Sequence, residues 1–265
     1  MSEVILIPYS RPELAENSFL SLDLEGTINQ AIDEYLRREE RPLVVGVYYP
    51  SMISYCLRRL FYLYTSPPKP VSSEKLRIFH AGNIIHSFIK EVLEKSEKIE
   101  LLHNEGEFAI IIDDIQIRGR YDDMILLRGF KEPIVIEVKS IKSFRKWDRE
   151  RKEHVDVELP YSEHVNQLMI YLYAMRCRYG AIVYVEKPTL QIKVCPVVFD
   201  RDRLDMLIDR VKQLHEFIIT KTLPPAEAKQ NESMRWQCYV ACEFREHCDR
   251  CENKNNMKKG EGVSF

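Results

Sequence analysis

Glycine is scarce in this sequence, at 9 of 265 residues, which excludes collagen-like or glycine-linker architecture. An excess of one charge is missing too. Lys and Arg number 39 against 41 Asp and Glu, for a formal net charge of −2. Bulk charge therefore announces no nucleic-acid binder, and any such role must rest on a local patch. No run of about 18 uninterrupted apolar residues occurs, so no membrane-spanning helix and no membrane partner are expected. The longest uncharged run, Pro42–Leu57, is broken by Gly46, Pro50, Ser51 and Ser54. The opening MSEVILIPYSRPE has only a short apolar part, with Glu3 ahead of it, which argues against a signal peptide and for a cytoplasmic protein. A G-x-x-x-x-G-K-[ST] loop is also lacking, which removes a nucleotide-driven motor.

What is present is globular. Hydrophobic residues make up 45% and charged residues 30%, enough apolar material for a core in one large domain or two small ones. Periodicity predicts helices over Thr27–Arg38, Ser51–Tyr64, Glu74–Lys98, Tyr161–Arg178 and Arg201–Thr222. In the third, Leu76, Phe79, Ile84, Ile85, Phe88, Ile89, Val92 and Leu93 form the expected buried stripe. Short isoleucine-rich runs predict strands at Phe108–Ile112, Ile115–Arg118, Asp123–Leu127 and Ile134–Val138. Two more are expected at Ala181–Glu186 and Gln191–Val197. The segment Thr65–Ser73 reads as a loop, and Ser140–Leu159 as a charged stretch. This order implies a mixed α/β core rather than a bundle.

The sharpest motif ends the Ile134 strand: Ile-Val-Ile-Glu137-Val138-Lys139. Residues two apart on a strand share a face, so a carboxylate and an ammonium group point together. Upstream, Gly119-Arg-Tyr-Asp122 places a second carboxylate beside the neighbouring strand. Mg²⁺ or Mn²⁺ prefers such oxygen ligands. A bound ion of this kind activates water and offsets phosphoryl charge, while a lysine steadies the transition state. Taken alone, Glu-x-Lys is equally a surface ion pair. Further pieces accompany it. Gly82 and His86 lie within the long helix, the glycine suggesting close packing and the histidine a neutral ligand. Gln167 and Tyr171, four apart on a later helix, share a face.

Five of the seven cysteines form a second constellation. Cys238, Cys242, Cys248 and Cys251 crowd the tail, where thiols in a cytoplasmic chain suggest a metal more than disulfides. Zinc and an iron–sulfur cluster suit them equally on spacing. Cys56 lies far upstream before Arg58 and Arg59, while Cys177 and Cys195 sit in apolar contexts and are assigned to the core.

Taken together, these residues resemble the RecB-type nucleases of the PD-(D/E)xK superfamily that carry an iron–sulfur cluster. They are most similar to the stand-alone CRISPR-associated RecB-like exonucleases. The likeness runs from Pro50 to Cys251 and rests on an ordered series. Cys56 with its arginines comes first, then Gly82-x-x-x-His86, Gly119-x-x-Asp122, Glu137-x-Lys139, Gln167-x-x-x-Tyr171, and a tail Trp with three cysteines. The resemblance implies a restriction-endonuclease-like α/β core over residues 73–222, with a central mixed sheet flanked by helices. A helical segment, residues 1–72, would precede it and a cysteine segment, residues 223–265, would follow, the two packed together. It implies that His86, Asp122, Glu137 and the Val138 carbonyl hold the metal, that Lys139 is catalytic, and that Gln167 and Tyr171 support the site. It also implies Cys56, Cys238, Cys242 and Cys248 as cluster ligands. The favoured cluster is 4Fe-4S, with 2Fe-2S or zinc as alternatives. The tail departs from the family, whose last cysteines are spaced by two and five residues. Here the gaps are three and five, and Cys251 is extra.

From Lys139 to Lys152 the chain holds seven basic residues, Lys139 included, interleaved with Phe144 and Trp147. Lys142, Arg145, Lys146 and Arg149 suit phosphates, and Trp147 suits unpaired bases. The sequence therefore reads as a Mg²⁺- or Mn²⁺-dependent nuclease on single-stranded DNA, and the resemblance adds spacer-precursor processing beside CRISPR integrase proteins. A homo-oligomer is compatible with this reading. The alternatives are a catalytically inactive binding module with a zinc or iron–sulfur tail, and an oxidoreductase, which lacks a flavin or nicotinamide fingerprint.

Overall fold

A computed structural model describes residues 22–38, 41–148 and 150–249. They divide into two compact units. The first comprises residues 22–38 and 71–80. Its helix α1 (Leu24–Leu36) starts earlier than periodicity predicts, because the Asp23 carboxylate caps it by accepting the Gly26 N–H at 2.8 Å. Within this unit Arg77 donates to Asp33 and to the side chain of Asn29, each at 2.9 Å.

The second unit, residues 41–70 and 81–249, carries the sheets. Strand β1 (Val47–Tyr48) leads through a 3₁₀ turn, Pro50–Met52, to α2 (Leu57–Thr65). The helix predicted over Ser51–Tyr64 thus begins only at Leu57. Cys56 is extended (φ −50°, ψ 128°), and its N–H goes to a distant glutamine instead of a helical carbonyl. Helix α3 (Ser73–Glu94) contributes residues 81–94. Then follow β2 (Ile99–Asn104), β3 (Glu107–Ile112), β4 (Ile115–Arg120), β5 (Asp123–Leu127), β6 (Ile134–Ile141), β7 (Arg145–Asp148) and β8 (Glu153–Asp156). Next come α4 (Ser162–Met175), β9 (Tyr179–Glu186), β10 (Ile192–Val198), α5 (Arg201–Ile219) and α6 (Glu227–Gln230).

Five strands form a mixed sheet ordered β10-β9-β6-β5-β2, in which only the β6–β9 pair is parallel. A parallel neighbour requires a crossover, and α4 lies in the one between β6 and β9. Both faces of the central strands are covered, which explains the near-continuous apolar run of β6. On one face Ile85 and Ile89 of α3 pack on Ile136, Val138 and Val183. On the other, Leu168 and Leu172 of α4 and Leu204 and Leu207 of α5 meet Val135, Ile182 and Tyr184. A second sheet, β1-β4-β3, and a β7–β8 hairpin complete the unit.

Two expectations need correction. The α3 stripe is narrower than its pattern, since Phe79, Ile84, Phe88 and Val92 are exposed. Gly82 is not closely packed, because a Cβ there would meet nothing within 4 Å. Within the charged stretch after Ser140, a hairpin pairs Arg145 with Asp156 and Trp147 with His154.

Candidate active site

The site forms where β6 outruns its ladder with β5. Their pairing covers Asp123↔Ile136 to Ile125↔Ile134, so the Val138 N–H on this side has no β5 carbonyl to meet. The Asp122 carboxylate, in the link between β4 and β5, takes it at 2.7 Å. Its other oxygen lies 3.2 Å from His86 Nδ1 on α3. One residue along, Glu137 Oε1 meets Lys139 Nζ at 2.6 Å, as alternation along the strand requires. Lys139 Nζ also donates to Gln167 Oε1 at 3.0 Å, and Gln167 Nε2 donates to Tyr171 Oη at 2.7 Å. The six sequence-chosen side chains, His86, Asp122, Glu137, Lys139, Gln167 and Tyr171, therefore converge.

The packing behind them explains the Gly119 of the G-x-x-D motif. A Cβ at Gly119 would come within 2.7 Å of the Phe108 ring. That ring stands edge-on to Tyr171, with centroids 5.4 Å apart at 75°. Gly119 thus lets Phe108 brace the tyrosine that steadies Gln167.

The electrostatics are strained in one direction. Glu137 is 2% exposed, and burial, followed by the Asp122 charge, pushes its carboxyl up to about 7 despite Lys139. Its Oε2 is buried without a hydrogen-bond partner among the described residues. Burial works to lower His86, but its hydrogen bond to Asp122, with the charges of Asp122 and Glu137, raises it on balance. Burial also raises Asp123, eased by the Asn104 amide that donates to it at 2.8 Å. Two repelling carboxylates and an orphaned buried oxygen are the donor set a hard divalent cation satisfies. Among the described residues, no three His, Cys, Asp or Glu side chains are gathered tightly enough to grip a single ion unaided.

An open cleft of about 450 Å³ adjoins the site, lined by His86, Lys90, Asn104, Arg120, Asp122 and Asp123. Sequence reasoning missed four of these. Lys90 sits one helical turn past His86 and Arg120 lies inside the G-x-x-D motif, so both carried a signal. Asn104 stands on β2, which the sequence did not reveal. Asp123 is buried at 1% exposure beside the more exposed Asp122, a difference that two adjacent aspartates do not display in sequence.

The predicted nucleic-acid residues gather on and before the hairpin. Lys142, Arg145, Lys146 and Trp147 are exposed, Trp147 at 55% and edge-on to His154 with centroids 5.3 Å apart. Arg149 lies outside the described residues.

At the other predicted centre, Cys56, Cys238, Cys242 and Cys248 line one cavity of about 20 Å³, together with Tyr62 and Phe244. The walls are tied across the chain. The Cys56 N–H donates to Gln237 Oε1 and Gln237 Nε2 to the Ser54 carbonyl, both at 2.9 Å, and Arg58 Nη1 approaches Cys248 Sγ at 3.5 Å. Burial pushes the thiols of Cys238 and Cys242 up. Cys177 is in the main core and Cys195 is partly buried against it, while Cys251 lies outside the described residues.

A sequence profile of the PD-(D/E)XK nuclease superfamily matches residues 67–249. No curated protein matches the chain in sequence. Among solved structures, that of SSO0001 is similar at a TM-score of 0.51 and 23% identity, over 85% of this chain and 95% of that one. An alkaline exonuclease (LHK-Exo) from Laribacter hongkongensis aligns at 0.43 and 11% identity, over 72% and 95%. A phage related exonuclease from Haemophilus somnus aligns at 0.40 and 13%, over 62% and 81%.

Proposed function

The chain belongs to the PD-(D/E)XK nuclease superfamily, and from that premise we propose that it is a Mg²⁺- or Mn²⁺-dependent DNA exonuclease acting on single strands or frayed ends. The observation that carries this reading is the buried Glu137, paired with Lys139 beside Asp122 and His86, with one Glu137 oxygen left without a partner among the described residues. His86, Asp122, Glu137 and the Val138 carbonyl would hold the cation. When bound, it lowers the pKa of water and offsets charge on phosphoryl oxygens. Lys139, gripped by Glu137 and Gln167, is oriented to donate to the water or to the phosphate as water attacks phosphorus and the ester oxygen leaves. Tyr171, braced by Phe108, fixes Gln167. The exposed Lys142, Arg145, Lys146 and Trp147 carry the strand.

For the cysteine cavity the reading is a structural 4Fe-4S cluster on Cys56, Cys238, Cys242 and Cys248. What supports it is that these four thiols line one cavity, the soft-ligand set that an iron–sulfur cluster takes. The resemblance of the motif series extends the reading to trimming spacer precursors beside CRISPR integrase proteins in the cytoplasm.

The test is cleavage of end-labelled single-stranded DNA with Mn²⁺ by anaerobically purified protein, compared with Glu137→Ala and Lys139→Ala. Both substitutions are expected to lower the rate by at least about 10²–10³-fold. Folded, metal-loaded wild type that cuts nothing would sink the enzyme reading in favour of a binding module.

A further inference from the structure

Beside Lys139 stands a histidine that the reading above does not use. Strand β9 runs parallel to β6 and sets Tyr184 opposite Lys139 in register. Tyr184 is fully buried, at 0% exposure. Its hydroxyl oxygen accepts the Tyr161 N–H at 3.0 Å and lies 2.9 Å from His164 Nδ1. His164 is three residues before Gln167 on α4, so it shares the helix face from which Gln167 reaches Lys139. His164 and Tyr184 thus flank the lysine from the helix and from the sheet.

Proton accounting fixes the imidazole. A buried tyrosine O–H is costly to leave without an acceptor. The Tyr161 N–H can only donate, so among the described residues the acceptor for the Tyr184 proton is His164 Nδ1. Nδ1 is therefore bare, and the ring proton resides on Nε2. Among the described residues no hydrogen bond is made at Nε2, and the ring is only partly buried. Burial, followed by the Lys139 charge, holds the ring's pKa down to about 3, so it stays neutral at working pH. The outcome is a donor of fixed direction that carries no net charge, next to a lysine that does.

Resting on the nuclease reading, we propose that His164 is a catalytic residue, donating its Nε2–H to a non-bridging oxygen of the phosphate being cut, and that Tyr184 is the positioning residue that sets its tautomer. A neutral donor adds a hydrogen bond to the pentacovalent phosphate without competing with the cation for the carboxylates. Lys139 then supplies the charge and His164 the direction.

Single-turnover cleavage of end-labelled single-stranded DNA tests this, with kcat and KM resolved. His164→Ala should lower kcat about 10²-fold with KM nearly unchanged. His164→Gln, which keeps an N–H donor near the Nε2 position, should recover part of that loss. Sulfur in place of a non-bridging oxygen should slow wild type more than His164→Ala, an effect that loss of packing alone does not produce. Nitrogen-15 NMR of the histidines should show His164 as the Nε2–H tautomer in wild type and a mixture in Tyr184→Phe. Wild-type kcat in His164→Ala, or a proton on Nδ1, overturns the proposal and leaves the nuclease standing. A wild type that cuts no DNA overturns both.

Discussion

Burial and the nearby Asp122 charge push Glu137 to about 7, against an ordinary 4.5. The folded chain therefore binds this proton more tightly than the unfolded one. A raised pKa contributes stability that is complete below the unfolded value and is lost as pH climbs through the folded one. For metal-free protein the loss runs from about pH 4.5 to about pH 7. His86 and Asp123 are raised as well and act with the same sign. Glu137→Gln should remove much of this slope and, in chelator, unfold at higher denaturant than wild type near neutral pH. Added Mn²⁺ should raise the wild-type midpoint and leave the variant nearly unmoved. Urea titrations across that window check both. A variant no more stable than wild type in chelator would mean that Lys139 alone offsets the buried charge.

The β7–β8 hairpin is the element on which strand binding is expected to turn. Phe144, just before it, is anchored: its N–H donates to Glu186 at 2.9 Å, and its carbonyl accepts the Val157 N–H at 2.8 Å. The exposed Trp147 rides on that base. Trp147→Ala should weaken binding of a single strand by about 1–3 kcal/mol, read by fluorescence anisotropy, and leave the melting temperature nearly unchanged. Equal affinity for both proteins would move the strand elsewhere. The hairpin is also the element that the sequence hid. Arg145-Lys-Trp-Asp and Glu153-His-Val-Asp have almost no apolar alternation, because both faces are wet and pairing alone holds them. Strand β2 was hidden for a related reason: His103 and Asn104 break its apolar pattern where it borders the cleft. By contrast β6 was legible, since a strand buried on both faces must be apolar except where chemistry intrudes, and Glu137 and Lys139 are those intrusions. Asp122 was legible through Gly119, whose missing side chain makes room for Phe108. His164 was not, because its partner Tyr184 is twenty residues away on another element.

At the scale of the whole molecule, the hydrogen bonds of longest sequence separation among the described residues join the segment around Cys56 to the tail. Arg210 donates to the carbonyls of Ile53 and Tyr55, the Leu57 N–H goes to Glu227, and the Cys56 N–H to Gln237. If a cluster completes this closure, Cys248→Ser should abolish the visible absorbance and iron content and lower the melting temperature, while Cys195→Ser should alter neither spectrum nor iron. Colourless, iron-free wild type from anaerobic cells would remove the cluster. The same closure sets an order on biosynthesis. Arg58 and Cys248 are 190 residues apart, so at ribosomal speeds of about 5–20 residues per second the early segment waits roughly 10–40 s for its partner. Until then the N–H groups of Cys56 and Leu57 lack their acceptors. In a nascent chain that already holds Lys139 and Gln167, the segment around Cys56 has yet to meet its partners.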